Sequence, residues 1–200
     1  MKKNDDKQTL LDDLFSPYKN CLACPLSSLG RTQVVFGSGN PGATLMLIGE
    51  GPGKNEDEQG LPFVGRSGQL LTRVLSDLGI KREELYIANI VKCRPPNNRA
   101  PLISELSVCK KLLLDKQIAI IKPKVICTLG SSATNALLEK KLSITKTRGS
   151  IQTYKDICLI PTFHPAYLLM NPKKISLFSL DLKNAYLHSH RNKPPKTKFA

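Results

Sequence analysis

Four short apolar runs, separated by stretches of helical periodicity, constrain this chain more than any other feature. The first is Leu45-Met46-Leu47-Ile48, at the end of a segment that starts at Thr44. A strand with one wet face alternates apolar and polar residues, whereas a continuous run marks a strand covered on both faces of a parallel sheet. Leu85-Tyr86-Ile87-Ala88, Val125 to Leu129 and Ile157 to Ile160 have the same character. Between them lie helix-like segments: Leu10 to Phe15, Ser67 to Leu78 with Gly79 as its cap, Leu102 to Ile121 stopped by Pro123, Ser131 to Leu138, and Leu177 to His188. Val34-Val35-Phe36 reads as a further short strand. This alternation predicts an α/β fold, a three-layer α/β/α sandwich with a mainly parallel central sheet. Such sheets hold ligands at the C-terminal ends of their strands. Three of these ends carry polar residues, Glu50, Asn89 and His164, which are expected to share one crevice.

The loop after the first run is rich in glycine and proline: Gly49-Glu50-Gly51-Pro52-Gly53, then Glu56-Asp57, then Pro62-Phe63-Val64-Gly65. Glycine admits close approach of a ligand to the backbone, and proline stiffens it. Phosphate is not the expected ligand. Gly37 to Gly42 matches G-x-G-x-x-G but precedes a strand, so no helix N-terminus stands behind it, and it reads as a turn between strands. Gly49 to Lys54 is one residue too short for a P-loop, and Asn55 replaces the required Ser or Thr.

The 200 residues suit one domain, and 40% hydrophobic residues allow a sizeable core. We expect residues 1–190 to form that domain, including the cysteine loop, and residues 191–200 to be a flexible basic tail. Thirty Lys and Arg against 16 Asp and Glu leave a formal charge of +14, which favours a polyanionic partner. No apolar run approaches the roughly 18 residues of a membrane span. The N-terminal Met1 to Asp6 has no apolar core behind it, so it does not read as a signal peptide. The expected location is the cytoplasm, where disulfides are rare.

The six cysteines then need another role. Cys127 and Cys158 lie inside apolar strands and read as small core residues. Cys21 and Cys24 form a C-x-x-C pair, while Cys93 and Cys109 are widely split. A zinc ribbon uses two tight pairs; irregularly spaced thiolates suit an iron–sulfur cubane at least as well. Spacing leaves both open.

Taken in order, these motifs resemble the family 4 uracil-DNA glycosylases, over roughly Cys21 to Pro172. The resemblance rests on Gly49-Glu50-Gly51-Pro52-Gly53 with Glu56-Asp57 and Pro62 to Gly65, on Asn89-Ile90-Val91-Lys92-Cys93-Arg94-Pro95-Pro96, on His164-Pro165-Ala166-Tyr167-Leu168-Leu169, and on the cysteine pattern. It implies a structural [4Fe-4S] cluster on Cys21, Cys24, Cys93 and Cys109. It also implies a monomeric, monofunctional enzyme of base-excision repair, nucleoid-associated when on DNA, acting on uracil in single- or double-stranded DNA. One superfamily member traps its abasic product through a histidine in an inserted basic loop; no such insertion lies between Leu138 and Arg148, so ordinary turnover is expected.

Those residue types fit the chemistry. A target base must leave the duplex to be cut. Phe63 would stack on it, and the Asn89 amide would pair with both N3–H and O4 of uracil. His164 would donate to O2 as negative charge develops there. Glu50 would stabilise the sugar cation or orient water. The Gly51 amide would touch the base, and Glu56 would either close the pocket near C5 or stand as a solvated loop charge. Tyr167 and Leu168, with Leu169, would wedge into the base stack, and Lys173, Lys174 and the tail lysines would meet phosphates. The competing reading is a non-catalytic iron–sulfur DNA-binding module associated with replication. It would use the same basic surface but would not need Glu50, Asn89 and His164 to converge. A zinc-stabilised nucleotide-binding protein is a third, opposed by the failed phosphate motifs.

Overall fold

The structure, a computed structural model, describes residues 2–191. The tail expected over residues 191–200 therefore lies outside the described residues, except for Arg191. Among the described residues six strands form one sheet in the order β1-β3-β2-β4-β6-β5. They are β1 (Ser38–Gly39), β2 (Leu45–Gly49), β3 (Tyr86–Asn89), β4 (Val125–Leu129), β5 (Gln152–Tyr154) and β6 (Ile157–Thr162). The four central strands are parallel, and β1 and β5 pair antiparallel at the two edges. The fold is α/β, as the alternation of runs predicts.

The apolar runs are continuous because both faces of the sheet are covered. Along β2, Leu45 and Leu47 join one buried cluster while Met46 and Ile48 join the other. The first cluster is closed by α3 (Arg66–Asp77), α8 (Pro165–Met170) and α9 (Ile175–Ser189). Helix α3 shows why: Leu70, Leu71, Val74 and Leu75 form its buried stripe, and Arg66, Gln69, Arg73 and Asp77 lie off that stripe. The second cluster is closed by α1 (Lys2–Phe15) and by the long helix that runs from Ile103 to Ile121, with α6 (Ser131–Leu138) beside it.

Two local expectations differ from the structure. The long helix is not uniform: α4 (Ile103–Cys109) passes into a π-helical turn, Lys110–Leu114, before α5 (Asp115–Ile121). The widened turn begins directly after Cys109, and such turns gather at functional sites. Val34 to Phe36 is not a strand. The Val35 N–H bonds the Lys92 carbonyl at 2.7 Å, Val34 packs among the cysteines, and Phe36 stacks on Phe15. The edge strand is instead Ser38–Gly39, inside the segment that reads as a turn. No helix among the described residues is long and apolar enough to cross a membrane.

Leu47 sits at the middle of the central strand with no exposure. Leu47→Ala is expected to lower the unfolding free energy by about 2–5 kcal/mol, measured by urea titration.

Candidate active site

The C-terminal ends of β2, β3 and β6 open on one pocket of about 330 Å³, near the lower bound of small-molecule sites. Its lining includes Glu50, Gly51, Glu56, Phe63, Asn89 and His164. The structure thus brings all six residues singled out for the base and the sugar to one place. Gly49 and Asn89 are register partners at the ends of β2 and β3. A β-carbon on Gly49 would lie 2.5 Å from the Asn89 Oδ1 and 2.5 Å from the Phe63 Cζ, so only glycine admits both side chains. Asn89 is buried, and its Oδ1 has no hydrogen-bond partner among the described residues. A buried acceptor without a donor is costly.

Phe63 holds a left-handed backbone conformation, φ 55°, uncommon for an aromatic residue. Two contacts impose it. Gly68, in the first turn of α3, lies against the Phe63 backbone so tightly that a β-carbon there would come within 2.0 Å of its carbonyl. Glu56, on α2 (Lys54–Gln59), accepts hydrogen bonds from the backbone N–H groups of Gly53, Val64 and Gly65 at 3.2, 2.9 and 2.7 Å. The reading of Glu56 as a solvated loop charge is corrected: it lines the pocket, and its carboxylate is buried and hydrogen-bonded to the loop backbone on either side of Phe63.

His164 caps the start of α8, its Nδ1 accepting the Ala166 N–H at 3.1 Å. A ring nitrogen that accepts leaves Nε2 to carry the proton, so the neutral tautomer presents an Nε2–H donor. Burial pushes the imidazole down to about 4, so it is neutral near pH 7; Glu56 opposes the shift only partly. The His164 and Phe63 ring centroids are 5.8 Å apart at 37°. The strand end before His164 is pinned by Thr162, which donates to Asp181 at 2.7 Å, and Arg148 also holds that carboxylate at 2.7 Å. Glu50 is partly exposed at the pocket wall.

On α8, Tyr167 and Leu169 are exposed, but Leu168 is fully buried among α3 and α9 residues. Its expected place against DNA is therefore corrected: the helix turns Leu168 to the core and leaves Tyr167, Leu169 and Met170 outside. Lys173 is exposed; the Lys174 ammonium donates to the Tyr167 hydroxyl at 2.6 Å and lies over its ring.

Cys21, Cys24, Cys93 and Cys109 gather around Leu26, Val34 and Val91 in a third buried cluster, apart from Cys127 and Cys158. Among the described residues no three His, Cys, Asp or Glu side chains meet closely enough for a single metal ion. Sequence reading missed the groups around this cage. Arg31 donates to the Cys93 Sγ at 2.8 Å and to the Cys21 carbonyl at 2.7 Å. The Lys92 backbone N–H donates to the Cys109 Sγ at 3.3 Å. Asp57 accepts the Thr32 N–H through both oxygens, at 3.0 and 2.9 Å, and ties the cysteine loop to α2. Burial pushes the Cys109 thiol up to about 12 against the pull of Lys92, and raises Cys93 against Arg31. Nothing in its sequence neighbourhood singles out Arg31, and although Asp57 belongs to a quoted motif, its partner Thr32 lies 25 residues away in the chain.

A profile of the uracil DNA glycosylase superfamily matches residues 36–189. That match covers more than half of the chain, and the chain is a member of the superfamily. Among known proteins, the type-4 uracil-DNA glycosylase of Thermotoga maritima is 50% identical over 167 residues, which is 82% of this chain and 86% of that protein. That of Sulfurisphaera tokodaii is 44% identical over 173 residues, 82% of this chain and 78% of that protein. That of Archaeoglobus fulgidus is 36% identical over 181 residues, 86% and 90%. The chain belongs to the type-4 branch.

The unfolded chain binds a proton at residue 164 near the ordinary imidazole pKa of 6.5, and the folded one resists it down to about 4. Stability should therefore fall as pH drops through that window. Urea titrations at several pH values are expected to show a shallower acid loss in His164→Gln than in the unaltered protein.

Proposed function

We propose that this chain is a monofunctional uracil-DNA glycosylase: it takes a uracil flipped out of DNA into the strand-end pocket and hydrolyses its N-glycosidic bond, leaving an abasic site for base-excision repair. The observation that carries this reading is the buried Asn89 amide, its acceptor without a partner among the described residues, in the same small pocket as a neutral imidazole. Uracil presents an N3–H donor between two carbonyl acceptors. The Asn89 Oδ1 accepts from N3–H and its Nδ2 donates to O4. Cytosine offers the reverse pattern and would leave buried groups unpaired. Phe63 lies under the base, locked by Glu56 and Gly68 so that little ordering remains to be done on binding.

Heterolysis of the C1′–N1 bond sends its electron pair to the base and leaves positive charge on the sugar. The Nε2–H of His164 donates to O2, where negative charge accumulates. A neutral donor already oriented by Ala166 needs no rearrangement at that moment. Glu50, at the wall, faces the sugar side, where a carboxylate stabilises the cation and holds the water that adds to C1′. That water loses one proton, and the uracil anion regains one from solvent. Tyr167, Leu169 and Lys173 lie outside the pocket, where they would meet the flanking DNA.

We infer further that the four gathered cysteines hold a structural [4Fe-4S] cluster. The donor set fits: one buried thiol, Cys93, and three partly buried ones around one apolar cluster, two of the four accepting from N–H donors that suit metal-bound sulfur. Cys21, Cys24, Cys93 and Cys109 would each give one thiolate to the cluster. Thiolates that burial disfavours become favourable once metal binds them. The cluster supplies cross-linking of the cysteine loop to the segment after β3, and no step of the hydrolysis.

Purified protein incubated with oligonucleotides carrying one uracil, single- or double-stranded, is expected to yield alkali-labile sites; no cleavage under any condition overturns the enzyme reading. Asn89→Asp is expected to reduce uracil release roughly 100-fold or more and to weaken discrimination against cytosine. Cys93→Ser is expected to lose the brown visible absorption of thiolate-bound iron together with thermal stability; unchanged colour would refute the ligand assignment.

A further inference from the structure

Lys92 is among the largest side chains of the described residues with no exposure at all. A lysine without solvent contact is unusual, because losing water disfavours the ammonium strongly. Here the ammonium has two hydrogen-bond acceptors and an aromatic neighbour. Its Nζ donates to the Asn89 carbonyl at 2.9 Å and to the Gln117 Oε1 at 2.6 Å, and it stands 6.0 Å from the centroid of the Phe36 ring. Gln117 is in turn fixed by donating to the Phe36 carbonyl at 3.0 Å and the Tyr86 hydroxyl at 3.3 Å. The backbone of Lys92 is held as well: its N–H meets the Cys109 Sγ and its carbonyl accepts from Val35.

Core stability alone does not call for this arrangement. A buried ionic group gives no more stability than an apolar residue of the same volume, and often less. What the ammonium does uniquely is grip the carbonyl of the residue whose side-chain amide lines the pocket. Beyond Asn89 the chain leaves the regular strand; Ile90 and Val91 donate to the Gly49 and Glu50 carbonyls while Lys92 reaches back three residues to close the bend. The direction of the Asn89 side chain follows from that bend, because its Cβ is fixed by the backbone at 89. An amide that must meet two atoms of a base tolerates little misplacement.

We propose that Lys92 is a positioning residue for base reading: its buried ammonium, anchored on Gln117, holds the Asn89 backbone in the orientation that aims the amide at the uracil edge. This deepens the function proposed above and rests on it. Because Lys92 also bonds Cys109 through its main chain, one residue joins the base-reading strand end to the cysteine cage.

The test is a double-mutant cycle on the metal-loaded protein. Lys92→Met keeps volume and removes the ammonium. It is expected to lower kcat for uracil release roughly 10- to 100-fold with KM for DNA nearly unchanged, since phosphate contacts are untouched. In an Asn89→Ala background the same substitution is expected to have almost no further effect, because the amide it positions is gone. Affinity for free uracil, followed by calorimetry, should fall in Lys92→Met and not further in the double variant. Equal loss in both backgrounds, or unchanged kcat, overturns the proposal. If Lys92→Met fails to fold with its visible absorption intact, Gln117→Leu, which removes the ammonium's anchor, carries the same cycle with the same criteria. An unaltered protein that releases no uracil would instead refute the proposed function, so the two failures are distinguishable.

Discussion

At the end of the central strand, the missing side chain of Gly49 is shared space: the Asn89 amide and the Phe63 ring both come within 2.5 Å of where its β-carbon would be. Everything else in the pocket is organised around that contact. The parallel register of β2 and β3 delivers Asn89 opposite Gly49, and the loop after β2 folds back to deliver Phe63. The return path is short, so it is clamped: Glu56 gathers three backbone N–H groups, and Gly68 lets α3 sit directly on the Phe63 carbonyl. A pocket built this way is rigid before a ligand arrives, and the ordering of its walls is done during folding rather than on binding.

The cysteine cage belongs to the same construction. Asp57, one residue from Glu56 on α2, grips Thr32 in the loop that carries Arg31, and Arg31 grips Cys93 and the Cys21 backbone. Lys92 then spans the distance from the cage to Asn89. Glu56 and Asp57 stand side by side in one sequence motif, with nothing there to separate their tasks. In the fold they are two anchors, one for the pocket and one for the cage, set side by side on one short helix. Their carboxylates are buried and hydrogen-bonded to main-chain groups, which is where buried charge is tolerable.

Much of this was legible before any coordinates. Continuous apolar runs announced strands covered on both faces, and the polar residues Glu50, Asn89 and His164 at three strand ends announced a shared crevice, because parallel strands finish on one side. The failures have specific causes. Leu168 looked available beside Tyr167, but its direction depends on where α8 meets α3 and α9. Val34 to Phe36 has strand composition, yet its neighbours are cysteines and an aromatic ring rather than a ladder. Glu56 looked like a pocket residue and is one, but its hydrogen bonds run to the backbone of its own loop.

What the sequence determined alone was periodic and local: which segments become strands or helices, which ends carry chemistry, and which four cysteines stand apart from the core pair. These follow from side-chain type and spacing, which act along the chain. Only the tertiary structure decided which nitrogen of His164 is free to donate, that the Asn89 acceptor is left without a partner among the described residues, and that Lys92 lies wholly inside and reaches Asn89 and Gln117 at once. Those facts depend on hydrogen-bond directions and desolvation at junctions between distant segments, Lys92 and Gln117 being 25 residues apart. Burial sets what a lysine or an asparagine can bond to, and burial is a property of the packed sheet and its helices rather than of the residue.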